Sequence, residues 1–259
     1  MSIPSLFVSH GAPSVILDPS PVHTFLDKLS ETVERPSAIL AVSAHWETPT
    51  PHVSNATKPE TIYDFSGFPA ALYKMTYPAP GAPELAEQTA ALLEGAGLGP
   101  VVSEPRGLDH GAWVPLLMGY PEADIPVTQL SIQSARDPAW HYQLGEALRP
   151  LRDDGVLILA SGNLTHNLRE FRGHAIDAEP EEWARAFDEW ASWAIAEDRV
   201  EDLLNYRSRA PEAVRNHPTD EHLLPLFVAM GAGSPGVSGR HLHKSYTYGV
   251  LAMDAFAFS

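Results

Sequence analysis

Short apolar runs alternate along the chain with longer segments in which apolar residues recur every three or four positions. An uninterrupted apolar run is typical of a strand covered on both faces, and the longer periodicity is typical of a helix packed on one side. The pattern predicts strands over residues 5–9, 38–44, 125–132, 156–161 and 246–252. It predicts helices over residues 22–33, 83–96, 139–151 and 181–196, and a short helix that begins near His222.

This alternation favours an α/β fold, with a central mixed, mostly parallel sheet flanked by helices. No repeat, low-complexity segment or linker divides the chain, so we expect residues 1–259 to form a single domain. Residues 49–83 are irregular and rich in proline. A loop of that length in a compact domain is usually a lid or a binding loop.

The composition restricts the chemistry that such a fold can carry. Cysteine is absent, so any metal must be bound by His, Asp or Glu. The formal net charge of −16 argues against nucleic acid as a partner, because a phosphate backbone needs a basic patch. No apolar run is long enough to span a membrane, and the first residues do not resemble a secretory leader. We therefore expect a cytoplasmic protein.

Several of the twelve histidines stand at the ends of predicted strands. His10 follows the run LFVS and His45 follows ILAVSA, while the run VLILASG is followed by Asn163 and, after a short turn, His166. The carboxyl ends of parallel strands meet at one edge of a sheet, where open α/β sheets bind their ligands. Each histidine alone would be explained as a hydrogen-bonded residue at a strand end. Polar side chains brought to one edge by three strands instead indicate a functional site.

Two further histidines lie outside the predicted strands. His110 is in the glycine-flanked loop GLDHGAW, where its neighbour Asp109 is a candidate to orient a ring nitrogen. A loop histidine that caps backbone groups would explain this position equally well. His222 precedes Pro225, and because proline is tolerated only in the first turn of a helix, a helix should begin near Glu221 and His222. Neighbouring helix positions diverge by about 100°. Only one of these two side chains should therefore face the site.

A cluster of imidazoles without sulfur ligands suits zinc, iron, nickel or copper. The chain has neither the H-E-x-x-H motif of zinc peptidases nor the G-x-S-x-G motif of serine hydrolases. Three imidazoles with open coordination positions would serve either a hydrolytic Zn(II) or an oxygen-activating Fe(II). Spacing and composition leave this choice open.

The motifs of the chain also follow one another in a recognisable order. They are SHGAPS, SAHWET, YDFSGFP, GLDHGAW, SGNLTHNLR and EHLLPLF. Together they resemble the class III extradiol ring-cleavage dioxygenases, specifically the DOPA 4,5-dioxygenase-like branch, over nearly the whole chain. The resemblance implies one catalytic α/β domain with a metal at the carboxyl ends of the strands. It also implies an enzyme that opens the ring of a catechol-type substrate with O2.

The resemblance implies a role for individual residues as well. His10, His45 and His222 would hold the metal, which would be Fe(II) for turnover, although an all-histidine set also suits Zn(II) in a purified sample. His166 would act as acid and base, and His110 would stand in the substrate pocket. The residues expected to contact the small aromatic diol are Tyr63, Phe65 and Asn163, with Phe68 and Tyr73 as further candidates, although the four aromatic residues would serve equally as core that anchors the long loop.

The residues leave two other functions open. A zinc metallohydrolase of the same fold would use a metal-activated water, with His166 moving protons. A non-catalytic member would keep the histidines as a sensor of metal or ligand. The sequence also leaves open whether Glu221 replaces His222 as the third ligand, which catechol is used, and which oligomer forms.

Overall fold

A mixed, mostly parallel sheet forms the centre of the protein in a computed structural model, which describes residues 2–259. Its strands are β1 (Ser5–Ser9), β2 (Ala38–Glu47), β3 (His52–Ser54), β4 (Val102–Glu104), β5 (Val127–Ile132), β6 (Val156–Gly162), β7 (Arg240–His243) and β10 (Ala255–Phe258). They lie side by side in the order β4-β3-β5-β2-β6-β1-β10-β7. A separate hairpin pairs β8 (Tyr246–Thr247) with β9 (Leu251–Ala252).

The central strands β5, β2, β6 and β1 are parallel to one another and almost entirely buried. Ser161 of β6 is opposite Val8 of β1 and Ser43 of β2. This register brings the carboxyl ends of the three strands level with one another. His10, just after β1, and His45, near the end of β2, therefore lie on either side of the end of β6.

Helices cover both faces of the sheet. They are α1 (Pro21–Leu26), α2 (Pro83–Gly95), α3 (His110–Gly119), α4 (Pro138–Leu148), α5 (Glu182–Ala196), α6 (Val200–Leu204), α7 (Tyr206–Arg209), α8 (Ala213–Asn216) and α9 (Leu224–Ala232). Leu40 packs in a core with α2, α4 and α9, whereas the adjacent Ala41 packs in a second core with α1 and α3. Because both faces are covered, the strand sequences are continuously apolar. None of the helices within residues 2–259 combines the length and the apolar character needed to cross a bilayer.

The expected α/β class with a central, mostly parallel sheet is confirmed. Most predicted elements occur, with ends that differ by up to three residues. The predicted strand 246–252 is wrong, because Tyr248 and Gly249 have positive φ angles and turn the chain between β8 and β9. The sheet instead receives β10, which pairs antiparallel with β1. The helix predicted over residues 22–33 ends at Leu26 and is followed by a separate 3-10 turn at Leu29–Glu31.

Two further differences concern the histidines. The pattern predicts a loop around His110, but this residue begins α3. This helix is almost wholly buried and contains Pro115, so it has no polar face that would reveal a helical period. The helix predicted to begin at Glu221–His222 begins at Leu224, with Pro225 in its first turn. His222 therefore lies in the turn that precedes α9.

Candidate active site

His10, which follows β1, is oriented by a hydrogen bond to β6. Its Nδ1 lies 2.9 Å from Ser161 Oγ, and the single hydroxyl proton of Ser161 is donated to the carbonyl oxygen of Gly111. Ser161 must therefore accept from His10, which places the imidazole proton on Nδ1 and leaves a free lone pair on Nε2. That Nε2 lies 3.0 Å from Nε2 of His45.

His45 stands near the end of β2, within an irregularity in the pairing of this strand with β5. Its backbone N–H donates to Ser43 Oγ at 3.1 Å, and its Nδ1 lies 3.4 Å from a carboxylate oxygen of Asp64. These contacts hold the backbone of His45 and the Nδ1 side of its ring. The inner nitrogen, Nε2, therefore faces His10.

His222 reaches the same point from the turn before α9. Its carbonyl oxygen accepts a hydrogen bond of 2.9 Å from the backbone N–H of Asn163. The backbone of Gly162 lies so close that a Cβ at this position would come within 2.0 Å of the same oxygen. Only glycine permits this approach of the turn to the end of β6. As a result, one ring nitrogen each from His10, His45 and His222 lie within 4.8 Å of one another.

Glu221 supports His222 and does not point away from it. Its carboxylate accepts hydrogen bonds from His222 Nδ1 at 3.0 Å and from the hydroxyl of Thr219 at 3.1 Å. The expectation that Glu221 and His222 diverge on a helix is wrong, because both residues precede α9. With its proton held on Nδ1, His222 keeps Nε2 as the nitrogen with a free lone pair.

Burial keeps these imidazoles neutral. Desolvation is the largest cause that lowers the pKa of His10 and of His222 well below the ordinary value, and it lowers the pKa of His45 to about 4. Repulsion from neighbouring histidines acts in the same direction. A histidine must be unprotonated to bind a metal ion. Three neutral imidazoles with converging lone pairs therefore fit a divalent transition-metal ion.

His110, the first residue of α3, is held by Asp64. The Asp64 carboxylate accepts hydrogen bonds from the backbone N–H and from Nδ1 of His110, each at 2.9 Å. It thus satisfies an N–H at the start of a buried helix and fixes the imidazole proton on Nδ1. Burial alone would raise the pKa of Asp64, but its hydrogen bonds with His110 lower it.

Asp109 does not orient His110, contrary to the expectation from the sequence. Its buried carboxylate accepts hydrogen bonds from Ser43 Oγ at 2.6 Å and from the side-chain amide of Gln129. Asp109 therefore ties the start of α3 to β2 and β5. Gly111 permits this close packing, since a Cβ there would lie 2.4 Å from Ser43 Oγ.

Asp64 is the functional residue that the sequence analysis misses. It is 46 positions from His110 along the chain, in the long irregular segment before α2. The available signal is its place in the motif YDFSGFP, where only the aromatic residues receive a role. A carboxylate in such a motif is a candidate partner for a functional histidine, because imidazoles at active sites are commonly held by carboxylates.

His166 stacks on His222. The two ring centroids are 3.4 Å apart and the ring planes differ by 13°. The backbone N–H of His166 donates to the carbonyl oxygen of Asn216, which fixes the segment after β6. Burial lowers the pKa of His166 to about 4, so the ring is neutral at pH 7 and able to accept a proton.

A cleft of about 410 Å³ opens beside the histidines. Its polar lining includes the five histidines just described: His10, His45, His110, His166 and His222. Phe65, Phe68, Phe171 and Leu251 contribute apolar surface to the same lining. The structure therefore brings together all five histidines that the sequence singles out, at the inner end of an aromatic cleft.

The residues expected to contact a substrate divide into two groups. Phe65 and Asn163 line the cleft, and the amide oxygen of Asn163 accepts a hydrogen bond of 3.0 Å from the backbone N–H of Gly11. Tyr63 is not part of the lining, because its ring packs against Phe65 and its hydroxyl donates to the carbonyl oxygen of Met75. It anchors the loop that carries Phe65.

Known proteins resemble this chain over nearly its full length. Residues 6–256 match the protein family described as the catalytic LigB subunit of aromatic ring-opening dioxygenase. A Beta vulgaris protein named 4,5-DOPA dioxygenase extradiol is 45% identical, with 98% of this chain and 96% of that protein covered. A protein of the same name from Escherichia coli K12 is 43% identical, with 89% and 85% covered. The crystal structure of an uncharacterized protein from Escherichia coli K12 has a TM-score of 0.83 and 35% identity, covering 99% of this chain and 100% of that chain.

The carboxylate of Asp64 offers a test of the site that does not depend on activity. Asp64→Ala should lower the free energy of unfolding by about 1–3 kcal/mol at pH 7, because two buried donors of His110 lose their acceptor. The pKa of Asp64 is lowered in the folded state, so its contribution is complete above the unfolded-state pKa of about 3.9. It is lost as the pH falls through the folded-state value. In urea denaturation the two proteins should therefore differ less below about pH 4.

A suitable control is Asp177→Ala, which removes an exposed carboxylate from a turn. This variant should stay within about 0.5 kcal/mol of the wild type at every pH tested. A loss of stability in Asp64→Ala that is the same at pH 7 and at the lowest pH where both proteins fold would contradict the ionic contribution of Asp64.

Proposed function

The chain belongs to the LigB family of aromatic ring-opening dioxygenases, and we propose that it opens the ring of a DOPA-like catechol with molecular oxygen by extradiol cleavage. Membership of the family confirms the resemblance that the motifs predict. The observation that carries the finer proposal is the convergence of neutral imidazoles from His10, His45 and His222 at the inner end of an aromatic cleft. The arrangement provides ligands for a metal ion, space for a diol and a histidine that can accept the diol's proton.

We assign the metal to His10, His45 and His222, with Fe(II) as the ion for turnover and Zn(II) as an ion that the same set would hold after purification. When bound, Fe(II) would supply the Lewis acidity and the redox activity that activation of dioxygen needs. Ser161 and Glu221 accept the Nδ1 protons of their histidines and so hold the rings from behind. Such partners fix the tautomer and the orientation of a metal-binding imidazole.

His166 is the proposed acid–base group. A catechol binds a metal ion after it loses at least one hydroxyl proton, and neutral His166 lines the cleft where it would receive that proton. Because burial keeps His166 unprotonated, its ring is in the form that accepts this proton. His110, whose Nδ1 donates to Asp64, offers Nε2 as an acceptor for the second hydroxyl.

The apolar part of the lining would pack against the aromatic ring and exclude water from the reaction. Cleavage would break the carbon–carbon bond beside the diol, and both atoms of dioxygen would enter the product. The opened chain then ends in an aldehyde on one side and a carboxylate on the other. No further reductant is needed, because the catechol itself supplies the electrons.

Oxygen uptake tests the proposal. Protein that is stripped of metal by a chelator, reloaded anaerobically with Fe(II) and mixed with L-DOPA or a simpler catechol should consume equimolar O2. With a catechol that carries no amine, the product should exceed the substrate in mass by one O2 molecule, and metal-free protein should consume no O2. Ester or amide hydrolysis without oxygen uptake would instead identify a metallohydrolase. Absence of both activities would favour a sensor of metal or ligand.

The metal content of two variants, substituted at adjacent positions, tests the ligand assignment. His222→Ala should purify nearly free of metal and inactive, because it removes a ligand. Glu221→Ala should keep all ligands but weaken metal affinity by about 10–100-fold, because His222 loses the acceptor that orients it. The control Glu122→Ala, at an exposed position, should match the wild type. Full loss of metal in Glu221→Ala, with metal retained in His222→Ala, would make Glu221 the ligand.

Measurements of metal content and of kcat distinguish the role of His166 from that of the metal ligands. His166→Ala should retain the metal but lower kcat by roughly 10²–10⁴-fold, the usual contribution of a positioned acid–base group. The control His174→Ala changes a partly exposed histidine that does not line the cleft, and it should retain wild-type turnover. If His166→Ala purified without metal, the residue would be a ligand and its assignment as the proton carrier would be refuted.

A further inference from the structure

Arg172 is the charged side chain on the wall of the cleft. Of the described residues that line the cleft, Arg172 is the only one that is an arginine, lysine, aspartate or glutamate. Leu168 and Phe171 of the same segment line the cleft beside it. Arg172 is exposed and permanently charged, and it belongs to the same lining as this apolar surface.

Arg172 lacks an acidic partner within residues 2–259, where no Asp or Glu oxygen lies within 4.0 Å of its guanidinium. Several other arginines are paired, as Arg215 is with Glu170 and Arg35 is with Asp124, whereas Arg169, which is unpaired, does not line the cleft. The chain has 33 acidic and 17 basic residues, so potential partners are abundant. An arginine that is unpaired in such a chain and lines the cleft is available to an external anion.

We propose that Arg172 binds a carboxylate on the side chain of the substrate, so that the cleft selects catechols that carry an acid. The inference rests on the proposed ring-opening function, in which the histidines hold the diol. The diol at the histidines and the acid at Arg172 fix the two ends of the substrate, and the apolar lining packs against the ring between them. The net charge of −16 repels an anionic substrate at long range, and a cation in the cleft would offset this repulsion locally.

The described lining offers no carboxylate to pair with an ammonium. Asp18 lines a small adjoining pocket together with Gly11 and Ser14, but it is not part of the cleft lining. An amino group beside the carboxylate, as in L-DOPA, therefore adds little to affinity. An amine in place of the carboxylate, as in dopamine, loses the ion pair and faces a guanidinium of like charge.

Equilibrium binding tests this assignment. Dissociation constants are measured by calorimetry, without oxygen and on Zn(II)-loaded protein, for L-DOPA, 3-(3,4-dihydroxyphenyl)propanoate, dopamine and 4-ethylcatechol. The wild type should bind the two acids roughly 10–100-fold more tightly than 4-ethylcatechol, the range expected for a hydrogen-bonded ion pair. Arg172→Gln should remove this preference by weakening the acids alone. The control Arg169→Gln changes an exposed arginine outside the lining and should keep the wild-type constants.

Two results would overturn the assignment of Arg172. One is a wild-type protein without preference for the acids, and the other is an equal loss for the acids and 4-ethylcatechol in Arg172→Gln. Tighter binding of L-DOPA than of the amine-free acid, lost in Asp18→Asn, would overturn the conclusion on the ammonium. These constants do not depend on turnover. Absence of oxygen uptake would therefore refute the proposed function by a separate measurement.

Discussion

The hydrogen bond from His10 Nδ1 to Ser161 Oγ is the contact on which the geometry of the site depends. It joins β1 to β6, and because Ser161 donates in turn to the carbonyl oxygen of Gly111, it also joins both strands to α3. A proton on Nε2 of His10 instead of Nδ1 would break this series of hydrogen bonds. It would also direct an N–H donor, and not a lone pair, to the centre of the site. The tautomer of one imidazole is thus tied to the packing of three elements.

The same principle holds at the neighbouring histidines. Nδ1 of His222 is held by Glu221 and Nδ1 of His110 is held by Asp64. The sheet explains why the rings meet, because β6 lies between β1 and β2 and its carboxyl end adjoins both histidine-bearing strands. Gly162 completes the arrangement by leaving room for the turn before α9. The protonation state and the position of these imidazoles are therefore consequences of the same packing.

The parts of the site that can be predicted from the sequence are those that a local pattern encodes. His10 and His45 follow directly on apolar runs, and their strands occur where the pattern places them. α3 escapes prediction because a helix buried on all sides has no polar face, and because Pro115 resembles a helix end. The contact between Asp64 and His110 escapes it because it depends on how a long loop folds back over the sheet.

β1 lies between β6 and β10, so the first strand of the chain pairs with the last, and Ser5 is opposite Phe258. While the chain folds, one edge of the strand that leads to His10 has no partner until β10 pairs with it. Pairing across such a separation is slow, because the entropy of closing the intervening chain is lost before the contacts form. The strand that leads to His10 should therefore be held on both edges only when the whole sheet has formed, so the site is completed late in folding and does not guide its first steps.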